Sequence, residues 1–450
     1  MATTDAKTGG RVARSMEMYE RLLELIPGGT QLISRRPTRY ALGVSPVVAT
    51  RGKGSRIWDV DGNEYIDWVS AIGSVIFGYA DPVVDEAVKA QIDKGTNFSI
   101  THELELELAE LLVERIPCAE MVRYARGGGD ACAVAARIAR GTTGRDRILF
   151  CGYHGWHDWY QAANHSSDAN LDEHLFPGIE PIGVPSELAG TAIPFPYGDL
   201  DGLSERLERH CGEVAAVMME PMRSDLPAEG YLEGVASLCR DHGAVLIFDE
   251  VSTGFRPSDA GVQPVLGVEP DMAVFAKSIS NGYAMGAVVG RRDVMAPAEQ
   301  MFVSSTYWGE AVGLAAAVTT LTELRKRNTA ETLATNGAAL KERLNAVAEE
   351  VGVAIRCTGI DYHPHLEFPV EDPTLNNKIG TLYVQEMAKR GNHGYTSFYL
   401  NESQGETEIG MVADAAKEVF TLIGETIEDG RIDERLEAQE RQEFFRRLVS

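Results

Sequence analysis

Apolar residues recur at helical spacing over Ser15–Ile26, where Tyr19, Leu22, Leu23 and Ile26 share a face and Pro27-Gly28-Gly29 ends the run. Two short runs follow, Arg56–Val60 and Glu64–Asp67, and the Asp61-Gly62 turn signal between them predicts a strand pair. Asp81-Pro82 opens another helix, with aspartate as cap and proline at the first helical position. Thr101 is the expected cap of the next, which runs through Leu104, Leu108, Leu111 and Leu112. From about Asp130 the pattern changes: amphipathic helical stretches alternate with the apolar runs Ile148–Phe150, Val214–Met219, Ala244–Phe248, Met272–Phe275 and Ala287–Gly290. Such runs read as buried strands of a mainly parallel sheet, that is, an α/β fold. Ligands of these sheets sit beyond the carboxyl ends of the strands, so the residues just after each run hold the most chemical interest.

The last third differs again. Helices are predicted near Glu310–Arg327, Thr329–Val351, Leu375–Lys389 and Thr407–Glu428, with short apolar runs at Val353–Cys357 and Leu366–Phe368. A charged helix, Ile432–Val449, closes a smaller α+β domain. There is no internal repeat and no low-complexity linker. The expected division is 1–75 as an N-terminal segment packing with the small domain, 76–315 as the large domain and 316–450 as the small one.

The 450 residues exceed one compact core and predict two or three domains. A formal charge of −25 with no long Lys/Arg run argues against nucleic acid and leaves small molecules and other protein chains as partners. No apolar run reaches the ~20 residues of a membrane helix. Met1 to Arg14 is polar and reads as a disordered tail without a signal core. The six cysteines form no CxxC pair, so neither a disulfide scaffold nor a zinc site is predicted, and a reducing cytoplasm fits.

Four segments carry candidate chemistry. Arg126-Gly127-Gly128-Gly129-Asp130-Ala131 precedes a helical pattern, so its backbone N–H groups can converge on an anion; read alone, it is equally a flexible turn without Walker or Rossmann spacing. In Gly152-Tyr153-His154-Gly155-Trp156-His157-Asp158, Tyr153 can present a flat face to an aromatic ligand. His154 and His157 in that segment read as packing residues rather than a metal pair, because no carboxylate or cysteine set lies nearby in sequence. Asp249, directly after Leu246-Ile247-Phe248, is either a strand-end surface carboxylate or a buried acid that needs a positive partner such as a protonated ring nitrogen. Lys277, after Val274-Phe275-Ala276, either snorkels to water or is desolvated enough to attack a carbonyl. An anion cradle, an aromatic plate, a buried acid and an amine together are what pyridoxal 5′-phosphate (PLP) requires.

At this point the chain resembles the class III aminotransferases of PLP fold type I, and within them the glutamate-1-semialdehyde 2,1-aminomutase branch. The resemblance runs from about Tyr19 to Leu324 on Pro27-Gly28-Gly29, Trp58-Asp59-Val60-Asp61-Gly62-Asn63, Tyr153-His154-Gly155, Asp249-Glu250-Val251 and Lys277. It implies a large domain with a mainly parallel central sheet flanked by helices, plus the smaller α+β domain. It also implies a Schiff base on Lys277, Asp249 on the pyridine nitrogen, and Tyr153 and Val251 on the two ring faces. His154 joins the cofactor-binding set through its motif, and Gly128 and Gly129 through the phosphate loop. Thr306, in Ser304-Ser305-Thr306-Tyr307-Trp308-Gly309, resembles a threonine that reaches the neighbouring subunit's phosphate, which implies a homodimer with shared sites. Arg35 matches an arginine that binds a substrate carboxylate in the aminomutases.

The chain departs from that branch at Gly127-Gly128-Gly129, where the aminomutases carry Ser-Gly-Thr, and at Ser305–Glu310. Arg223, near a strand end, is either a second carboxylate ligand or a surface residue. The leading expectation is an intermolecular aminotransferase cycling between PLP and pyridoxamine 5′-phosphate, with small-molecule donor and acceptor. The alternatives are the intramolecular aminomutase reaction, a PLP racemase or decarboxylase, and a non-catalytic or nucleotide-dependent binder that uses the glycine loop alone. No metal is expected.

Overall fold

Seven strands form the centre of the larger of two compact units, Pro82–Ala330. Their order across the sheet is Met121–Ala125, Gly286–Gly290, Met272–Phe275, Val245–Asp249, Val214–Met219, Arg147–Cys151 and Ala192–Pro194. The computed structural model describes residues 10–165, 180–222 and 224–442. Within the sheet all pairings are parallel except those of Gly286–Gly290, which runs against both neighbours. The strands Val214–Met219, Val245–Asp249, Met272–Phe275 and Gly286–Gly290 are buried at every position, which is why they read as unbroken apolar runs rather than alternations. The helix Gly128–Thr143 lies on this sheet through Ala131, Cys132, Ala135, Ala136, Ile138 and Ala139, small side chains that allow close approach. The class is therefore α/β with a mainly parallel central sheet flanked by helices, the PLP fold type I architecture.

Register decides what meets at the carboxyl edge. Cys151 pairs with Met219, Met219 with Phe248, and Asp249 with Val274. Four parallel strands thus end level, and the segments after Cys151, Met219, Phe248 and Phe275 emerge together.

The other unit takes the residues up to Asp81 and those from Glu331. The helix Ala13–Leu25 ends where Gly28 and Gly29 adopt φ of 75° and 70°, the left-handed conformation in which glycine avoids a Cβ penalty. The Arg56–Asp59 and Glu64–Asp67 strands pair antiparallel as expected, with Gly62 at φ 88° and Asp59 Oδ1 accepting from the Asp61 and Asn63 backbones. The unpredicted strand Ala49–Lys53 extends this sheet on one side and Asn392–His393 on the other.

Two expectations need correction. His102, not Thr101, caps the helix Glu103–Arg115: its Nδ1 accepts from Leu104 N, and Glu105 reaches back to the His102 backbone. The final helix covers only Ile432–Arg435; residues 443–449 of the expected Ile432–Val449 span lie outside the described residues. After Leu436 the backbone is diverted by side chains of the helix Pro373–Lys389: Gln385 accepts from Glu437 N and Ala438 N, and Thr381 from Arg441 N. No described helix is long and apolar enough to cross a membrane. Residues 1–9 of the expected tail also lie outside the described residues, while Ala13 and Arg14 open the first helix.

Candidate active site

Gly128 opens the helix Gly128–Thr143, and Gly127 caps it in extended conformation. The first-turn amides of a helix have no partner within it and face outward, so this end offers several N–H groups and the positive end of the dipole to an anion. A Cβ on Gly128 would lie 2.7 Å from Val251 Cγ1, so glycine is needed there to admit the chain after Asp249. A Cβ on Gly155, whose φ is 103°, would lie 2.6 Å from Gly129 Cα, so the Tyr153-His154-Gly155 turn presses backbone to backbone on the glycine loop. A Cβ on Gly127 meets nothing, so that glycine answers no packing demand.

Tyr153 and His154 are sequence neighbours with opposite fates. Tyr153 is 37% exposed and offers its ring at the surface of the site. His154 is 1% exposed and donates from Nδ1 to Asp249 Oδ2 at 2.7 Å, with Phe150 and Tyr160 edge-on to its ring. Asp249, 3% exposed, also accepts from Val251 N at Oδ1 (2.9 Å) and from Cys132 Sγ at Oδ2 (3.3 Å). Cys132 lies one helical turn after Gly128, on the same face. Its thiol is pushed well above the ordinary range by burial first and by the Asp249 and Glu220 charges after it. The two histidines thus serve different carboxylates, since His157 meets Asp130 at 3.3 Å.

The sequence reading found no carboxylate or cysteine to complete a set around His154; the fold supplies both. Cys132, His154 and Asp249 bring their ligand atoms within 4.8 Å. They come from a helix, a post-strand turn and a strand end, with Cys132 lying 117 residues and His154 95 residues before Asp249, separations that sequence spacing does not reveal.

Lys277 follows the strand that pairs with Val245–Asp249. Its backbone is left-handed, φ 49°, a conformation costing a lysine about 1 kcal/mol. Its Nζ donates to Ser252 Oγ at 2.8 Å, and Ser252, three residues after Asp249, was not anticipated. Thr306 is exposed in a turn of the segment before the helix Ala311–Arg327. Arg126 holds that segment by donating to the carbonyls of Tyr307 and Glu310 and pairing with the Glu310 carboxylate at 3.5 Å, and it also donates to the Ala284 carbonyl. Arg35 belongs to the other unit, where it lines a cavity of about 560 Å³ with Tyr40, Asp67, Tyr79 and His393. Ala71 and Ile72 line the same cavity, and Ser70, Ala71 and Ile72 take three successive left-handed conformations (φ 49°, 52° and 60°), in which a β-branched residue such as Ile72 is rarely found. Arg223 lies outside the described residues.

The residues present fit PLP: a buried acid held by three donors, an amine at the end of the next strand and a glycine cradle at a helix start. Comparison with known proteins agrees. The family model described as aminotransferase class-III matches residues 40–361. The 3-aminobutyryl-CoA aminotransferase of Cloacimonas acidaminovorans is 34% identical over 427 residues, covering 92% of this chain and 99% of its own. The glutamate-1-semialdehyde 2,1-aminomutase of Syntrophobacter fumaroxidans is 35% identical over 433 residues, covering 92% and 98%. Among solved structures, the PLP form of the FumI protein of Sphingopyxis sp. MTA144 superposes with a TM-score of 0.84 at 27% identity, over 95% of this chain and 99% of that one.

Proposed function

Because the chain belongs to the class-III aminotransferases, and so is a PLP-dependent enzyme of amino transfer, we propose that it moves an amino group between two small molecules in ping-pong order. The observation that carries the site assignment is that Asp249 ends one strand and Lys277 follows the end of the strand paired with it. PLP supplies an electron sink for the carbanion left when a substrate loses its Cα proton. Lys277 is the residue we assign to the cofactor's aldehyde, and its amine, once freed, is the base at Cα. Asp249 holds its carboxylate toward the ring nitrogen, fixed by His154 and Val251. Tyr153 and Val251 would hold the cofactor's ring between them, and the backbone at Gly128 and Gly129 would receive its phosphate, readings supported by the close approach of Gly128 to Val251 and the exposed ring of Tyr153. Burial of Asp249 and His154 keeps water from their contact and strengthens it.

Intermolecular transfer is the reading that the bare Gly127-Gly128-Gly129 loop and the aminotransferase relative support. The proposal includes Arg35 as the ligand of a substrate carboxylate, supported by its place in a roomy cavity. The same arginine and the aminomutase relatives favour a second reading, intramolecular transfer. The proposed assembly is a homodimer in which Thr306 reaches the partner's phosphate site; exposed Phe302 and Tyr307 flanking Thr306 supply apolar surface for it. A reducing cytoplasm is the proposed setting, supported by six free cysteines. The test is to add amino donors singly to the PLP-loaded protein. Stoichiometric keto product with bleaching of the visible absorbance, reversed by a keto acceptor, is expected. Rearrangement of glutamate-1-semialdehyde with no acceptor present would favour the second reading.

A further inference from the structure

Asp249 has more donors than a strand-end acid requires, and one of them is a thiol. Gly128 and Cys132 are four apart on one helix face, and Val251 and Asp249 two apart at a strand end. The two spacings match: Gly128 sits against Val251, and Cys132 Sγ reaches Asp249 Oδ2 at 3.3 Å. The helix start that forms the anion cradle therefore also delivers a donor to the acid. A buried cysteine most often acts as a small inert apolar group; here it is aimed at a carboxylate oxygen. Its burial and the negative charges around it keep the thiol protonated, so it can only donate.

We propose that Cys132 is a positioning residue for Asp249, whose S–H, together with the Nδ1–H of His154, holds the carboxylate in a fixed plane toward the cofactor's ring nitrogen. The inference rests on the ring-nitrogen role proposed for Asp249. Each donor to a carboxylate favours its charged form. Losing one makes Asp249 hold a proton more tightly, so the ring nitrogen shares less positive charge and the linkage nitrogen at Lys277 becomes more basic. The titratable groups around the acid are Cys132 on the helix, Tyr153 and His154 after Cys151, Glu220 after Met219, the adjacent Glu250, and Lys277 after the paired strand.

The experiment compares Cys132→Val, Cys132→Ser and Asp249→Asn as PLP-loaded protein. Three readouts are taken: the pH midpoint of the visible cofactor absorbance, PLP affinity by equilibrium dialysis, and the infrared S–H stretch. Cys132→Val should raise the midpoint by roughly half to one pH unit and weaken PLP binding about three- to tenfold, whereas Cys132→Ser, which keeps a donor, should stay close to wild type. A residue that only fills space gives the opposite order, with valine tolerated and serine impaired, and that order overturns the proposal. The S–H band of wild-type protein and of Asp249→Asn provides a second arm that needs no folded Cys132 variant. One S–H band should be displaced to low frequency and should return toward the free position in Asp249→Asn; an unmoved band overturns the proposal. If Asp249→Asn leaves the absorbance titration unchanged, the ring-nitrogen role of Asp249 falls, and the inference with it. If Asp249→Asn shifts the titration and Cys132→Val does not, only the inference falls.

Discussion

Asp249 and Glu250 are adjacent, and both are buried carboxylates, but they sit in two differently built surroundings. Asp249 meets groups from across the sheet edge: His154 and Cys132 on one oxygen, with only the local Val251 N–H on the other. Glu250 faces the opposite way, into its own connection. Its Oε2 accepts from Val262 N at 2.8 Å and its Oε1 from Gln263 Nε2 at 3.0 Å, while Gln263 Oε1 in turn accepts from Cys118 N. Burial pushes the Glu250 carboxyl up to about 7, against the pull of those two hydrogen bonds. Alternation along the chain thus gives one acid to the site and the next to the scaffold. Burial alone does not mark a functional carboxylate; the reach and charge character of its donors do.

The comparison is broken most severely by exchanging one acid at a time. Asp249→Asn should lower turnover by at least about 100-fold, a loss of the order seen when one electrostatic partner is removed from a preorganised site, and its amide, which must face either the Val251 N–H or the His154 and Cys132 donors, should also cost about 1–3 kcal/mol of stability. Glu250→Gln should cost stability without a comparable loss of turnover. Its new amide would oppose the Gln263 Nε2 donor, costing about 1–3 kcal/mol of stability, with turnover altered only a few-fold. Steady-state kinetics and thermal melts on the same preparations separate the two. Equal effects of both substitutions on turnover would erase the distinction.

A substitution on the helix sharpens it from the other side. Gly128→Ala places a methyl 2.7 Å from Val251 Cγ1, which should cost about 1–3 kcal/mol by overpacking and weaken PLP binding, measurable by melts and by dialysis. Gly127→Ala, where a Cβ meets nothing, is the matched control and should leave stability within about 1 kcal/mol of wild type.

A further test is a pH dependence of stability. Glu250 titrates near 7 in the folded protein against an ordinary 4.5, so the native state retains a proton that the unfolded chain releases across that interval. Its contribution is fully present below about 4.5, declines as pH rises through about 7 and is flat above. Denaturant unfolding at several pH values should show this slope in wild type and lose it in Glu250→Gln; a slope of the same size in the variant would reassign it to another group.

Much of this was legible in the chain because buried parallel strands have no alternation to confuse with anything else. Val214–Met219 and Met272–Phe275 were bounded correctly, and Asp249 and Lys277 stand out as charges set directly against apolar runs. The strand Met121–Ala125 was not read, because Arg123 and Tyr124 dilute its apolar pattern. Ala192–Pro194 is only three residues long and ends on proline. The reversed direction of Gly286–Gly290 leaves no mark in a run buried on both faces. Cys132 escaped notice because its partner is 117 residues away, although its place one turn beyond Gly128 was a usable signal. The last helix was overextended because charge periodicity cannot foresee Gln385 and Thr381 capturing the backbone after Leu436.

Reductive trapping bears most directly on the central assignment. PLP-loaded protein treated with borohydride and digested should carry the cofactor mass on the peptide containing Lys277 and on no other, and Lys277→Ala should carry none. Cofactor mass on a different lysine, or undiminished labelling of Lys277→Ala, would contradict the account.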